Sequence, residues 1–193
     1  MDIQPLFQHI EKIFPLNDGA RIDLTARLEM RKLRRRQYLL QEGDVCKHYH
    51  FVLKGCLRLY FVDEKGTEHA LQFATDNGWI ADIGSLHSET PSRLSIDALE
   101  PTEVLRIGKQ GLIELYVKHP AFDRYFRVLT ENAFIGMQQR VLQNISSTAE
   151  ERYLTFLEKY PHLVNRIPLV QIASFIGVTP EFVSKIRKNL SGK

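Results

Sequence analysis

Three groups of side chains in this sequence have the type and spacing to do chemistry. His48 and His50 stand two apart, so a strand would put both imidazoles on one face, as a metal site uses them. Cys46 and Cys56 form no C-x-x-C pair, and two cysteines are too few for a disulfide framework or a Cys-ligated cluster. The third group is basic and lies near the C-terminus. After Glu181 come Lys185, Arg187, Lys188 and Lys193 with no acid among them, a composition suited to phosphate contacts. No Ser/His/Asp, P-loop or dinucleotide-binding signature is present.

Composition bounds what can position these groups. The chain has 193 residues, enough for one or two domains with a real core. Hydrophobic residues make up 44% and charged residues 25%, the balance of an ordinary soluble protein. No run reaches the roughly 18 apolar residues of a membrane span. Met1-Asp2-Ile3-Gln4-Pro5 lacks a basic segment before an apolar one, so no signal peptide is expected and a reducing cytoplasm is the expected compartment. The net charge of +3 is unevenly placed. Residues 1–143 carry 19 Lys/Arg and 19 Asp/Glu, whereas residues 144–193 carry 7 and 4.

The hydrophobic period divides the chain. Phe7, Ile10, Ile13 and Phe14 fall at helical spacing, and a second helical piece is expected near Leu24 to Leu33. The run Arg31 to Arg36 reads as a solvated face leading into a strand. From about residue 37 the period becomes two. Gly43, Gly55, Gly66 and Gly78 are spaced 12, 11 and 12 apart and separate short alternating runs such as Tyr49/Phe51/Leu53 and Leu57/Leu59/Phe61. Short strands at such spacing predict a sandwich or barrel, with Asp63-Glu64-Lys65-Gly66 as a hairpin loop. Beyond Pro120, the residues Phe122, Phe126, Leu129, Ala133, Met137 and Val141 recur at steps of three and four. They predict a helix of about 25 residues whose narrow seam suits pairing with a second helix. Ser147-Thr148-Ala149-Glu150 reads as a capping box for a helix running to about Tyr160, where Pro161 stops it. Residues 144–147 make a hinge.

Residues 169–188 carry a helix-turn-helix pattern. Ile172, Ala173 and Ile176 are the buried face of a first helix, and small Ala173 permits a close crossing. Gly177 supplies a positive φ at the helix end, and Val178 packs inward. Thr179 is a good N-cap and Pro180 a preferred first helical residue. Phe182, Val183 and Ile186 would bury the second helix. Its outer face would present Thr179, Pro180, Glu181, Ser184, Lys185 and Lys188 to the major groove. Glu181 could accept from a cytosine amine and Lys185 could reach guanine or phosphate, with Arg187, Lys188 and Lys193 on phosphate.

The whole order, a glycine-punctuated β-roll, a long helix and a helix-turn-helix, resembles the CRP/FNR family of regulators. Glu42-Gly43-Asp44 followed by Tyr49-x-Phe51-Val52-Leu53-Lys54-Gly55 is similar to that family's first β-roll hairpin. Asp76-x-Gly78-Trp79-Ile80 and Asp82-Ile83-Gly84-Ser85-Leu86 resemble the opening of its phosphate-binding cassette. The resemblance implies a homodimer that reads a near-palindromic site on double-stranded DNA, with RNA polymerase as a further partner. It also implies an effector in the roll, a cyclic nucleotide or another small anion, held by Asp82, Ile83, Gly84, Ser85, Ser92 and Arg93. The match departs from cyclic-AMP sensors at several points. Asp82 replaces the ribose-binding Glu, Ser92 stands where the phosphate-binding Arg falls, and Met137-Gln138 replaces an adenine-contacting Thr-Ser pair. An effector other than cyclic AMP is therefore expected. The chain stops soon after the second helix, so a full wing is not expected.

Gly43-x4-His48-x-His50 also resembles half of a cupin metal motif, which leaves a metal-dependent β-barrel enzyme as the alternative. Lys54 and Gly55 stand near the place of that motif's Glu, and no second motif follows.

These readings converge on an α+β chain. Residues 1–119 form a double-stranded β-helix, jelly-roll-like sensor domain. Residues 120–146 form a long dimerisation helix, and residues 147–193 a helix-turn-helix domain lacking a full wing. The expected role is a cytoplasmic, non-enzymatic DNA-binding regulator without a resident metal and without a membrane segment.

Overall fold

The computed structural model describes residues 2–191, with side chains through residue 189; Lys193 lies outside the described residues. The chain forms two compact units. One comprises the residues up to Phe61 together with Gln72–Thr130, the other Val62–Leu71 together with the residues from Glu131 onward.

The first unit opens with helices α1 (Gln4–Glu11) and α2 (Asp18–Ala26). The Asn17 side chain caps α2 by accepting from the Ala20 amide at 2.8 Å. The helix expected near Leu24 to Leu33 ends at Ala26 instead, and strand β1 (Glu29–Leu33) follows. Cross-strand pairing overrides local propensity here. β1 lies antiparallel to β8 (Thr102–Gly108) in a register that sets Glu29 opposite Arg106 and Lys32 opposite Glu103. Both pairs form ion pairs, and Lys32 reaches Glu103 at 2.7 Å. Arg31, Lys32 and Arg34–Arg36 are exposed, so the basic run is a solvated face, but it begins inside the strand rather than before it.

The remaining strands are β2 (Tyr38–Leu40), β3 (His48–Lys54), β4 (Cys56–Val62), β5 (Glu68–Thr75), β6 (Trp79–Ile80) and β7 (Ser95–Ala98). They build two four-stranded sheets, ordered β1-β8-β3-β6 and β2-β7-β4-β5. The turn between β3 and β4 admits only glycine. Gly55 has φ +113°, and an added Cβ would lie 2.4 Å from the Thr102 hydroxyl and 2.7 Å from its Cα.

One core cluster joins Phe51, Leu105 and Ile107 of the first sheet to Leu6, Phe7 and Ile10 of α1. It also takes in Leu112 and Leu115 of α4 (Lys109–Lys118) and Phe122, Tyr125 and Phe126 of α5 (Ala121–Ser146). The polar edge of this cluster is satisfied internally. The Trp79 indole donates to the Tyr125 hydroxyl at 2.8 Å, and that hydroxyl lies 2.6 Å from His9 Nδ1. Strand β4 is buried on both faces from Cys56 to Tyr60 because Arg58 pairs in a bidentate manner with Asp97, at 2.7 and 3.1 Å.

In the second unit, the part of α5 beyond Thr130 is followed by α6 (Ala149–Lys159), α7 (Leu169–Ile176) and α8 (Pro180–Ser191). The capping box of α6 is one residue later than expected. Thr148, not Ser147, is the N-cap, and Glu151, not Glu150, returns the bond to the Thr148 amide at 2.7 Å. Residues 144–146, expected in a hinge, continue α5 through Ser146, which leaves only Ser147 and Thr148 between α5 and α6. Among the described residues, no single helix is long and apolar enough to cross a membrane.

Candidate functional site

Two places carry the sequence-predicted residues. The first is the α7–α8 pair. Its helices meet at 98°, within the range of a helix-turn-helix. Gly177 ends α7 at φ +73°, and the Val178 amide donates back to the Ala173 carbonyl at 3.0 Å. The Thr179 hydroxyl accepts from the Phe182 amide at 3.3 Å and starts α8. Ile172, Ala173, Ile176, Val183 and Ile186 are buried, with Tyr153 and Phe156 of α6 among the buried residues of the same unit. Phe182 departs from expectation. It is 46% exposed, because Val183 and Ile186 already fill the inner face of α8.

The outward face of α8 is polar. Thr179, Glu181, Ser184, Lys185 and Lys188 are exposed, and Pro180 is half-buried. The Glu181 carboxyl is held below the usual carboxylate range by its own backbone amide and the Thr179 hydroxyl, so it stays an acceptor. Arg187 turns inward. Its Nε donates to the Tyr153 hydroxyl at 2.7 Å, and its guanidinium lies 5.8 Å from that ring centre. Sequence reasoning gave Arg187 a phosphate, whereas the side chain braces α8 against α6. It also missed Arg152, whose Nε donates to the Ile176 carbonyl at 2.9 Å and whose Nη1 donates to the Ser147 carbonyl at 2.7 Å. The only local signal for that role is a long cation in the first turn of a capped helix, opposite the end of α7.

The second place is the cassette, and here the sequence-predicted residues separate. Asp82 caps the short helix α3 (Ile83–Ser88), its Oδ1 accepting from the Ser85 amide at 3.2 Å. Its Oδ2 accepts from the Ser92 hydroxyl at 2.6 Å. Ser92 is 3% exposed and also accepts from the Leu94 amide at 2.8 Å. Ser85, equally enclosed, donates to the Thr90 carbonyl at 2.6 Å and accepts from the Cys46 amide at 2.9 Å. Asp82, Ser85 and Ser92 thus come together, but their polar atoms are bonded to one another and to nearby backbone. Ile83 and Gly84 are exposed at the rim. Arg93 is exposed too, with its guanidinium 5.6 Å from the Phe61 ring centre. Both Ser92 and Arg93 lie in the loop before β7, which buries the serine and leaves the arginine exposed.

His48 and His50 do share one face of β3, with ring centres 6.1 Å apart. They line a cavity of ≈ 320 Å3 with Leu40 and Cys46 among its other walls. Burial pushes His50 down to about 3, which keeps its ring neutral. Among the described residues, no group of three His, Cys, Asp or Glu is placed to hold a metal ion.

Comparison with known proteins agrees with this architecture. Residues 30–119 match the family model of the cyclic nucleotide-binding domain. The chain is 28% identical over 167 residues to the transcriptional activator protein Anr of Pseudomonas protegens, spanning 81% of this chain and 68% of that protein. It is 24% identical over 185 residues to the fumarate and nitrate reduction regulatory protein of Vibrio cholerae, spanning 90% and 73%. Among solved structures, FixK2 from Bradyrhizobium japonicum aligns with a TM-score of 0.76 at 19% identity, covering 86% of this chain and 85% of that one. The catabolite activator protein of Thermus thermophilus aligns at 0.58 with 20% identity, covering 97% and 87%. These relatives and structural neighbours are regulators, not cupin enzymes. With a cyclic nucleotide-binding domain match, a long helix and a helix-turn-helix head, the chain is similar to the regulators of the CRP/FNR family.

Proposed function

We propose that the protein is a homodimeric, non-enzymatic transcription regulator of the cytoplasm that reads double-stranded DNA through α8. The observation that carries this reading is the capped right-angle joint of α7 and α8, which leaves Glu181, Ser184, Lys185 and Lys188 on one exposed face. Residues 1–119 act as sensor, 120–146 as dimerisation helix and 147–193 as DNA-binding head. In the second half of α5, Phe134, Met137, Val141 and Ile145 are each more than half exposed and recur at steps of three and four. A second copy of the same seam would cover them. Pairing along α5 would hold two recognition helices about 34 Å apart, one turn of DNA. RNA polymerase is the further partner this role calls for.

The cassette supports an effector other than cyclic AMP. With Ser92 bonded to Asp82, no cation stands at that point to meet a cyclic phosphate. Any effector acts by favouring the head orientation that matches the groove spacing.

Fluorescence anisotropy with a selected near-palindromic duplex and a random duplex tests the DNA reading. Lys185→Ala should weaken specific binding by about 1–3 kcal/mol and relax preference at one base pair. Lys188→Ala should weaken both duplexes alike and lower the salt slope by about one. Equal losses on both duplexes from both variants would remove the assignment.

A further inference from the structure

A second cavity, lined by cations, lies wholly within the unit that carries the helix-turn-helix. It measures ≈ 60 Å3 and is lined by α5, α6 and α7, with Arg140, Arg152 and Lys159 as its cations and Gln143 and Asn144 as neutral amides. The space holds more than one water-sized sphere and is large enough for one tetrahedral oxyanion.

The cations are held in place without being neutralised. Arg140 donates to the Leu71 carbonyl, and its guanidinium lies 4.9 Å from the centre of the Phe175 ring. Arg152 is anchored on the carbonyls of Ile176 and Ser147. The Lys159 ammonium lies 5.5 Å from the Tyr160 ring centre, and 3.5 Å from where a Cβ on Gly136 would sit. Among the described residues, no carboxylate pairs with any of the three. Burial also pushes the Arg140 guanidinium down from its ordinary value. Three like charges around one small space repel each other, and the carbonyl anchors leave that repulsion in place. Fixed guanidiniums with N–H groups to spare are the geometry that binds oxyanions.

We propose that this cavity binds the phosphate group of a small phosphorylated ligand. Arg140 belongs to the long helix and Arg152 to the first helix of the head. Arg152 already grips the last carbonyl of α7 and the end of the α5–α6 link. A phosphate shared by the two arginines would tie the joint from which the head swings. The effector site would then sit at that joint and not in the roll, whose cassette is closed on itself.

Isothermal titration of pyrophosphate into the full chain at constant ionic strength is the test, with sulfate as a competitor of the same shape. Wild type should bind saturably at one site per chain. Arg140→Gln should weaken that binding by about tenfold, the loss expected for one charged hydrogen bond. Gly136→Leu should abolish it, because the added side chain fills the cavity while all three cations remain. Thermal melts close to wild type would establish that both variants fold. Absence of saturable binding, or binding unchanged in Gly136→Leu, would overturn the proposal. So would a result in which Arg140→Gln leaves pyrophosphate binding intact but weakens DNA binding, since the cations would then belong to the DNA backbone interface.

Discussion

Removing a single hydroxyl should expose the closed state of the cassette. Ser92→Ala deletes the donor to Asp82 Oδ2 at 2.6 Å and the acceptor of the Leu94 amide at 2.8 Å. Ser92 is 3% exposed, so water replaces neither bond easily. A hydrogen bond to a charged group contributes about 1.5–3 kcal/mol, and an unpaired buried amide costs about 1 kcal/mol or more. The sum is about 3 kcal/mol. A chain of this length shifts by about 2–4 °C per kcal/mol, so the melting temperature should fall by about 9 °C. Differential scanning calorimetry reads this directly, with exposed Ser88→Ala as the control that should barely move. A fall under about 2 °C would refute the bridging role of Ser92. The same calorimetry tests the ligand consequence. A ligand at a hundred times its dissociation constant adds about 2.7 kcal/mol, here about 8 °C. Cyclic AMP in millimolar excess should give no such rise, and a rise of that size would mean that the Asp82–Ser92 bridge opens to admit a phosphate.

Three other expectations follow from buried or exposed groups. His50 has its folded pKa depressed to about 3 by burial against an ordinary value of 6.5, so unfolding takes up a proton at acid pH. Its contribution is fully present above pH 6.5 and is lost at about 1.4 kcal/mol per pH unit as pH falls toward 3, a slope that His50→Gln should flatten in urea melts taken at several pH values. Gly177→Ala meets nothing within 4 Å, so its whole effect is the φ of +73°. It should cost about 1–2 kcal/mol and lower DNA affinity through the head's stability, and Gly177→Asn should cost less when melts of the two variants are compared. Val141→Glu with Ile145→Glu changes residues that are 52% and 79% exposed in one chain. The double variant should keep its melting profile at low concentration yet sediment as a monomer, and a dimer that survived it would place the interface elsewhere.

The sequence displays most clearly what depends on local chemistry. The helix-turn-helix joint was legible because Gly177, Thr179 and Pro180 each act within a few residues of themselves, and the structure shows the positive φ and the cap. The long helix was legible from its apolar period. What the sequence hid was set by partners far away in the chain. Residues Glu29–Leu33 continue a helical pattern, yet they pair along their whole length with Thr102–Arg106, and charges stand opposite one another in that register. Arg58 falls at the polar position between Leu57 and Leu59 and would be read as solvent-facing, until Asp97, 39 residues on, supplies its buried partner. Arg187 reads as a phosphate contact from composition alone, and only the position of Tyr153 on α6 turns it inward.

That same distinction bears on where regulation resides. In the cassette, two changes of residue type act together. A shorter acid at position 82 and a serine at position 92 meet at 2.6 Å, a distance that an arginine in place of Ser92 would not leave free. The bridge belongs to a hydrogen-bond network closed within the chain, with Ser85 bonded on both sides as well. A site whose polar groups are already satisfied gains little from an anion, because each new bond must replace an existing one. The α5–α6–α7 cavity has the opposite balance: its cations hold carbonyls but no carboxylate, so an arriving oxyanion adds charge pairing without displacing any. On the proposal made above, an effector would act where charge is left uncompensated, beside the link between α5 and α6.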